Sequence, residues 1–493
     1  MSRADRVSLL VAKLKESGGS GGDVDTVPLS LDVERDHVRV KPKSVEDIVR
    51  CLKEVGATGC SVSVVGGDHS GYARSGDLVL EMSHFTSVQT VEEAAQSKAK
   101  AYGTTNPINP EADGMLLHVG AGVSLKYLSV EAAKRSLAVP LGTAPTVGLG
   151  LILQGGVGHL TRSLGLALDA IRAVQMVTAK AEVLNLSRDS APNEKKELFW
   201  AVLGCAPNFG VVTSVTLEAV PFRLCDSLKQ IFNLPRENPA LAYQSLEKYM
   251  SWSSELPVDC SADCCLYFEE GTPSTSADSN LSILMGVYTF DFECSKSGFL
   301  HLELSTSTTP SPSLLLKKSR DKQGAAELMD NEPYLCEQPE GIVYRGFLAK
   351  RSFFVRALFF EKGADISKEV VESMWSAPSK HCYFHFQHMG GVVSKRADSA
   401  FVARQAEWSL VISGVWSTDT ESGDACRRWV MGVVNDLLPK AIGSYATDLG
   451  PEDEGLAKYS FGPHTPQLKE LKKKWDPDNV FKHGFPLSTL PES

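Results

Sequence analysis

Hydrophobic positions near the start of the chain recur with helical spacing and are flanked by two strand-like runs. Ser44 is a candidate N-cap, and Gly56 and Gly59 follow the last apolar position. The apolar stripe falls at i, i+3, i+4 and i+7: Val45, Ile48, Val49 and Leu52. With short strands over residues 38–40 and 61–65, the pattern predicts a β-α-β unit.

Apolar and β-branched runs continue until Pro221, which closes a first domain. The predicted strands there cover residues 78–82, 116–120, 170–178, 181–186 and 211–220. Helices are predicted over residues 124–136 and from residue 197. Beyond residue 225 the predicted strands include 281–290, 384–389 and 410–416, and the predicted helices lie near 238–252, 364–376 and 464–475. This second part favours an α+β domain with an antiparallel sheet.

Length and charge restrict the classes of function. A chain of 493 residues with 43% hydrophobic positions is too long for one core and favours two domains. A net charge of −10 without long basic runs disfavours nucleic-acid binding. The basic cluster at residues 472–474 is interpreted as a solvated helix face. No run of 18 apolar residues occurs, so no membrane span is expected.

The cysteines and the N-terminus indicate in which cellular compartment the protein is expected. Eleven cysteines are scattered, their number is odd, and no Cys-x-x-Cys pair occurs. Residues 1–15 carry charge in every turn, which is unlike a signal peptide. We therefore expect reduced thiols, a cytoplasmic protein and no zinc or other metal site. Residues 16–27, rich in Gly and Ser, are expected to form a flexible connector.

The first candidate for chemistry lies where the strand 61–65 ends. Gly66 and Gly67 are followed by Asp68 and His69. Glycines after a strand allow a tight turn that brings backbone N–H groups close to a phosphate. A neutral histidine ring is also a nucleophile that a cofactor could be tethered to. The alternative is a tight turn with one half-exposed histidine.

A second glycine-rich run follows at residues 142–158, where six of the 17 residues are glycine. Such a density is not expected to form an ordinary helix or strand, and it suits backbone lying against a flat or phosphorylated ligand. A floppy surface loop would be more polar than this run. A dinucleotide fingerprint fails here, because Leu153 and Thr161 stand where its third glycine is required. A nicotinamide site of that type is therefore disfavoured.

Several separated motifs together resemble the FAD-linked oxidases of the vanillyl-alcohol oxidase superfamily, and most closely the berberine-bridge-enzyme-like branch. Residues 66–70 resemble the family's Gly-Gly-His-Ser turn, and residues 142–158 resemble its second glycine-rich run. Further signatures match at residues 198–201, 208–213, 390–404 and 461–481. The resemblance extends from about residue 36 to residue 487.

The resemblance implies an α+β, two-domain PCMH-type FAD-binding fold with a central antiparallel-sheet substrate domain. Residues 1–35 are then an N-terminal extension, and residues 36–224 form the FAD-binding domain. Residues 225–440 form the substrate domain, and residues 441–493 return to the FAD-binding domain.

The implied cofactor is FAD, bonded through His69 to the flavin 8α-methyl group. Ala144 stands where bicovalent members carry a cysteine, so the attachment is expected through His69 only. Asp68 departs from the glycine usual in the family and is expected to orient the His69 ring or to raise its basicity. The implied FAD-binding residues are Gly66, Gly67, Asp68, His69, Ser70, Thr143, Pro145, Thr146, Val147, Gly150, Gly155, Gly156, Gly158, Gly210, Val211, Val212 and Asn479.

The resemblance also implies hydride transfer from an alcohol, sugar or amine carbon to flavin N5, assisted by a base. Tyr445 matches the family position that often supplies the base, although an unperturbed phenol titrates near ~10. The alternative for Tyr445 is a buried side chain with a satisfied hydroxyl. His381 and His385 are the next candidates, because they alternate with Tyr383 and Gln387 on one face of a predicted strand. The alternative for that face is solvent.

A small side chain at Val147, implied to lie near flavin C4a, suggests that molecular oxygen reoxidises the flavin to give hydrogen peroxide. The expected partners are thus a small-molecule substrate and oxygen, without nucleic acid or membrane. Alternatives are an oxidative cyclase of a specialised metabolite, a dehydrogenase with a non-oxygen acceptor, a catalytically silent flavin-binding protein and a nicotinamide dehydrogenase. The sequence does not identify the substrate.

Overall fold

A computed structural model describes most of the chain, in segments. These are residues 1–17, 31–33, 37–67, 76–93, 115–188, 190, 192–221, 225–268, 280–290, 351–396, 398–417, 423–450, 453–485 and 487. Asp68, His69 and Ser70 lie outside the described residues.

A small sheet forms around the predicted β-α-β unit. Its strands are β1 (Leu31–Val33), β2 (Val38–Val40), β3 (Val62–Val65) and β4 (Leu78–Glu81), and its helices are α1 (Arg3–Glu16) and α2 (Val45–Thr58). The strand order is β1-β2-β4-β3, and β4 pairs in parallel with both β2 and β3. Ser44 caps α2 by accepting the Asp47 N–H at 3.2 Å, as predicted. The unit is confirmed, with β4 inserted between its two strands.

Helix α1 was not expected from the sequence. Ser2 and Asp5 form a capping box at its start, and Val7, Leu10 and Leu14 bury one face. Arg3 Nε lies 2.7 Å from the buried carboxylate of Asp77. Helix α1 is therefore amphipathic, and its charged residues lie outside this buried apolar face.

A second sheet carries the glycine-rich run. Its strands are β5 (Val88–Thr90), β6 (Met115–Gly120), β7 (Leu137–Ala138), β8 (Ile171–Val177), β9 (Val183–Ser187) and β10 (Val211–Pro221). Its helices are α3 (Leu125–Ala133), α4 (Leu149–Gln154), α5 (Thr161–Leu164) and α6 (Asn193–Cys205). The expectation that the glycine-rich run forms no helix is wrong for α4, because Gly148 and Gly155 occupy its caps and only Gly150 lies within it.

The third sheet has seven antiparallel strands, as predicted for the second half of the chain. They are β11 (Cys225–Leu234), β12 (Cys260–Phe268), β13 (Leu281–Phe290), β14 (Arg351–Phe360), β15 (Tyr383–His388), β16 (Trp408–Ser417) and β17 (Gly443–Ser444), in the order β11-β13-β12-β15-β16-β14-β17. Helices α7 (Pro239–Ser253), α8 (Ser367–Trp375) and α9 (Gly423–Leu437) pack on one face. The chain is thus of mixed α and β class with antiparallel sheets.

The two faces of this sheet differ in chemistry. Phe386 packs against Tyr249 of α7, and Phe384 packs against Trp429 of α9. Since side chains alternate along a strand, His385 and Gln387 project from the face opposite the helices. That face carries the polar side chains and is the one relevant to a functional site.

The C-terminal segment contains α10 (Glu454–Phe461) and α11 (Thr465–Trp475). Interpretation of residues 472–474 as solvated is wrong for Lys472, which is buried. Its Nζ donates to Asp476 Oδ2 at 2.6 Å and to the Asn208 carbonyl at 2.9 Å. Beyond α11, the Val480 carbonyl accepts the Val62 N–H at 2.9 Å, so this segment lies against the first sheet.

The state of the cysteines and the hydropathy of the helices can both be compared with the sequence expectations. Cys265 is disulfide-bonded, so the expectation that every thiol is reduced is wrong for this residue. Seven cysteines within the described part of the chain are buried and lie outside any disulfide: Cys51, Cys60, Cys205, Cys260, Cys264, Cys382 and Cys426. Among the described helices, none combines the length and the hydropathy needed to cross a membrane.

Candidate functional site

The two glycine turns predicted to hold the cofactor meet in the structure. A Cβ atom added at Gly67 would lie 2.4 Å from the Gly148 nitrogen, and one added at Gly148 would lie 2.6 Å from the Gly67 nitrogen. Real Cβ atoms do not approach a backbone so closely, so both positions need glycine. The half-buried Val147 adjoins this contact. The turn after β3 and the start of α4 are thus in direct backbone contact.

Tyr445 lies at the other end of α4. Gly156 has a φ of +77° and donates its N–H to Tyr445 Oη at 2.7 Å. The Tyr445 ring packs against Phe359 at 5.2 Å and against Phe401 at 6.3 Å. Burial raises the pKa of Tyr445 well above the usual range of a phenol. The side chain is therefore buried with its hydroxyl oxygen engaged, which was the alternative to a base.

The other predicted cofactor residues of the run occupy its two sides. Pro145 is buried and its carbonyl accepts the Lys126 N–H at 3.0 Å, whereas Thr146 and Gly150 are exposed. Gly158 donates its N–H to Thr161 Oγ1 at 2.8 Å. A third group lies at the start of β10, where Gly210, Val211 and Val212 pack beside the end of β8.

The glycine-rich run contacts the polar face of the large sheet directly. Gln387 Nε2 donates to Thr143 Oγ1 at 3.2 Å, and Ser409 Oγ donates to Gln387 Oε1 at 3.3 Å. Gln387 and His385 are buried, with 7% and 9% exposure. This excludes the alternative that the face is solvent-facing. Thr143 and Gln387 thus join the predicted cofactor segment to the predicted substrate surface.

Two predicted site residues are placed apart from this junction. His381 lies in a turn before β15, where its N–H donates to Ser379 Oγ at 3.3 Å, so it does not share the strand face of His385. Asn479 has a φ of +51° and precedes Val480, which meets the first residue of β3. Gly66 and Gly67 follow the other end of that strand. Asn479 is therefore not brought next to the glycine turns.

Asp263 on β12 is a buried carboxylate that sequence reasoning missed. Its Oδ1 accepts the His388 N–H at 3.0 Å, and its Oδ2 lies 3.4 Å from His385 Nε2 and 3.7 Å from His159 Nδ1. Burial by itself raises the pKa of Asp263, but His385, His159 and the His388 N–H outweigh burial and lower it. The sequence signal that could have identified it is that Asp263 is the single charged residue in the otherwise uncharged run 260–268.

Arg162 of α5 was also missed, and it links the glycine-rich run to the large sheet. Only 4% of Arg162 is exposed. Its guanidinium donates to the carbonyls of Leu256, Cys260 and Met389 at 2.7–2.9 Å and to Glu407 Oε1 at 3.0 Å. Burial lowers the pKa of Arg162, and Glu407 offsets part of the effect. An arginine four residues after Gly158 was the only signal.

This arrangement suits a flat, phosphorylated cofactor. Backbone approaches backbone at Gly67 and Gly148 without room for a side chain, and the N–H groups near such turns can face phosphate. Where the same run meets the large sheet, at Thr143, the sheet presents Gln387, His385 and Asp263. The donor set therefore fits FAD held by backbone on one side, with groups able to move a proton on the other.

Comparison with known proteins agrees with this geometry. The family described as FAD binding domain matches residues 37–187, and the family described as berberine and berberine like matches residues 451–485. An FAD-linked oxidoreductase of Dictyostelium discoideum is 25% identical over 92% of this chain and 88% of its own length. The (R)-6-hydroxynicotine oxidase of Paenarthrobacter nicotinovorans is 35% identical over 39% of this chain and 35% of its own length.

Among solved structures, a chitooligosaccharide oxidase superposes with a TM-score of 0.73 at 17% identity. The superposition covers 98% of this chain and 100% of the other. At this identity the likeness establishes the fold. The described part of the chain therefore has the architecture predicted from its motifs.

Proposed function

We propose that this chain, which belongs to the berberine-like FAD-linked oxidoreductases, oxidises an alcohol, sugar or amine carbon with FAD as the hydride acceptor. One observation carries the proposal: Gln387 on the polar sheet face bonds Thr143 in the glycine-rich run at 3.2 Å. This contact joins a glycine-lined cofactor cradle to a buried polar surface. A small substrate between the two would lie next to the cofactor.

The substrate classes follow from the relatives. The names of two similar proteins specify a hydroxynicotine and a chitooligosaccharide, an amine and a sugar. The polar face of this chain carries hydroxyl, amide, imidazole and carboxylate groups, which suit either class. Bound FAD supplies a hydride acceptor at N5, and molecular oxygen is the acceptor we propose for its reoxidation, with hydrogen peroxide as co-product.

The cofactor contacts we propose divide into backbone cradle and tether. The cradle comprises the glycine turns at residues 66–67, 148–150 and 155–158 together with Thr143, Pro145, Thr146 and Val147. His69 forms the one covalent bond, since Ala144 has no sulfur to form a second. Several turns bind FAD without any bond, so the tether acts mainly on the reduction potential of the flavin, a property that the protein tunes.

The three candidates for the proton acceptor differ in their surroundings. Tyr445 has a raised pKa and an engaged hydroxyl oxygen. His381 lies before the strand. His385 lies on the polar face beside Asp263 and two residues from Gln387. We therefore place the proton-accepting role on His385.

The test has two parts on one purified holoenzyme. Acid precipitation and a denaturing gel should leave flavin fluorescence on the wild-type polypeptide, whereas the His69→Ala protein should release its flavin. Anaerobic mixing with a panel of alcohols, sugars and amines should then bleach the flavin absorbance with at least one class. If the flavin of the wild-type protein stays in the supernatant, the proposed covalent bond to His69 is contradicted. If no compound of the panel bleaches the flavin, the proposed oxidation is contradicted.

Product analysis separates the variants of this function. A carbonyl, lactone or imine supports simple oxidation, whereas a new ring indicates an oxidative cyclase. Reduced enzyme that is reoxidised by a quinone or dye but not by oxygen indicates a dehydrogenase.

A further inference from the structure

The histidine–aspartate contact on the polar face forms what we call the Asp263 cluster: Asp263, His385 and His159. Asp263 Oδ2 lies 3.4 Å from His385 Nε2 and 3.7 Å from His159 Nδ1. The other oxygen, Oδ1, is occupied by the His388 N–H at 3.0 Å and by Ser261 Oγ at 3.4 Å. One carboxylate oxygen is thus fixed to the sheet, and the other faces two imidazoles.

This pairing differs from that of the other buried aspartates. Among the residues that the structure describes, five aspartates are buried, and four of them pair with a permanent cation. The four pairs are Asp77 with Arg3, Asp169 with Arg404, Asp453 with Arg356 and Asp476 with Lys472. Asp263 pairs instead with imidazoles, the side chains whose charge changes near neutral pH. A purely structural tie does not need a partner that changes its charge.

The position of the cluster connects it to the reaction site. Gln387, two residues after His385 on the same strand face, bonds Thr143 in the cofactor segment. His159 directly follows Gly158 of that segment and stacks on Tyr288 of β13 at 4.1 Å. The cluster therefore lies where the sheet meets the cradle. It is not a metal site, because no group of three or more His, Cys, Asp or Glu in the described segments is arranged to hold an ion.

We propose that His385 accepts the proton that the substrate O–H or N–H loses, and that Asp263 is the positioning residue that orients its ring. Nε2 lies 3.4 Å from Asp263 Oδ2. A neutral ring that carries its proton on this nitrogen accepts a further proton at Nδ1. The His385 side chain keeps 11% exposure, and no described residue hydrogen-bonds its Nδ1. This inference rests on the proposed function, because it names a residue for the proton that accompanies hydride transfer.

Atoms and charge balance in this step. The substrate C–H hydride takes both electrons to FAD, the O–H or N–H proton moves to His385 Nδ1, and a C=O or C=N bond forms. The imidazolium that results is balanced by the Asp263 carboxylate. The surrounding groups are His388 on β15, His159 and Arg162 beside the glycine-rich run, Tyr288 on β13 and Glu407 before β16. Arg162 and Glu407 already form an ion pair, so they add little net charge.

The experiment uses three variants of the holoenzyme: His385→Gln, Asp263→Asn and, as a matched control, Asp77→Asn. Asp77 and Asp263 are equally buried, at 2% exposure each, but Asp77 lies beside α1. The rate of anaerobic flavin reduction is measured from pH 5 to pH 9 with the panel compound that bleaches the wild type fastest. His385→Gln should lower the rate by about 10²–10⁴-fold, the usual effect of a positioned base.

Asp263→Asn should lower the rate by about 10²-fold, because the ring loses the carboxylate that orients it. Asp77→Asn should reduce thermal stability and leave the rate of flavin reduction unchanged. The proposal is overturned if His385→Gln or Asp263→Asn stays within about threefold of the wild-type rate at every pH. An equal loss of rate in the Asp77→Asn control overturns it as well.

A second measurement needs no substrate. Nitrogen chemical shifts of ¹⁵N-histidine-labelled holoenzyme, assigned with His385→Gln, should place the neutral proton of His385 on Nε2. In Asp263→Asn that preference should be lost, since an asparagine amide can donate to Nε2. Wild-type protonation on Nδ1 overturns the positioning role. If no panel compound bleaches the flavin, the proposed function fails, and the tautomer measurement still decides the histidine–aspartate relationship.

Discussion

Arg162 and Gly391 are in backbone contact across the junction between the glycine-rich run and the large sheet. A Cβ atom at Gly391 would lie 2.4 Å from the Arg162 carbonyl oxygen, and Gly391 has a φ of +57°. The next residue, Val392, donates its N–H to the same carbonyl at 3.0 Å. The glycine pair at residues 390–391, which resembles a substrate-domain signature, therefore wraps around an arginine that joins the two parts of the site.

Replacing Arg162 with methionine should lower the free energy of unfolding by about 3–5 kcal/mol, because the partly buried Glu407 loses its cation and three carbonyl groups lose their donor. Urea unfolding followed by tryptophan fluorescence measures the loss. Arg172→Met is the control, since Arg172 pairs with Glu218 at the partly exposed surface, where a pair contributes about 0–1 kcal/mol. Similar losses in both variants would contradict the role of Arg162 as a junction.

The contact between Gly67 and Gly148 should not tolerate a side chain. Gly148→Ala places a Cβ 2.6 Å from the Gly67 nitrogen, so the two turns must separate and FAD retention should fall. Gly432→Ala is the control, because Gly432 lies exposed in α9 with nothing within 4 Å of an added Cβ. It should stabilise the helix by up to about 1 kcal/mol. Flavin content per polypeptide, read from absorbance, separates the two; full retention in Gly148→Ala would remove the cradle assignment.

Tyr445→Phe should act on stability more than on chemistry. The substitution leaves the buried Gly156 N–H without its acceptor, which costs about 1–3 kcal/mol. We expect a lower melting temperature and anaerobic flavin reduction within about tenfold of wild type, since the raised pKa of the phenol disfavours a basic role. A loss of 10²–10⁴-fold with unchanged melting temperature would instead identify Tyr445 as the base.

Val147→Leu should slow reoxidation of the reduced flavin by oxygen and spare its reduction by substrate. Val147 is half-buried beside the Gly67–Gly148 contact, so a longer side chain would narrow the approach that we propose for oxygen. Stopped-flow absorbance measures both half-reactions separately. Val147→Ala is the control and should reoxidise at least as fast as wild type. Equal reoxidation rates in all three proteins would place oxygen access elsewhere.

The sequence by itself determined the local features. Ser44 and the spacing from Val45 to Leu52 specify α2, because capping and a helical apolar stripe depend on residues within a few positions. The alternation around His385 likewise indicated a strand with one polar face, since side-chain direction follows strand periodicity. Glycine density marked the proposed cofactor cradle, although it did not show that α4 forms between the glycines.

Only the tertiary structure decided which distant residues meet. Asp263 and His385 are more than a hundred positions apart and become neighbours through the pairing of β12 with β15. Arg162 acquires its partners from three separate segments, and Lys472 is buried because the chain after α11 folds back onto Asn208. Such contacts depend on strand order and packing between sheets. The Asp263 cluster therefore became visible only once the sheet was assembled, whereas the glycine turns of the proposed cofactor site were already apparent in the order of the residues.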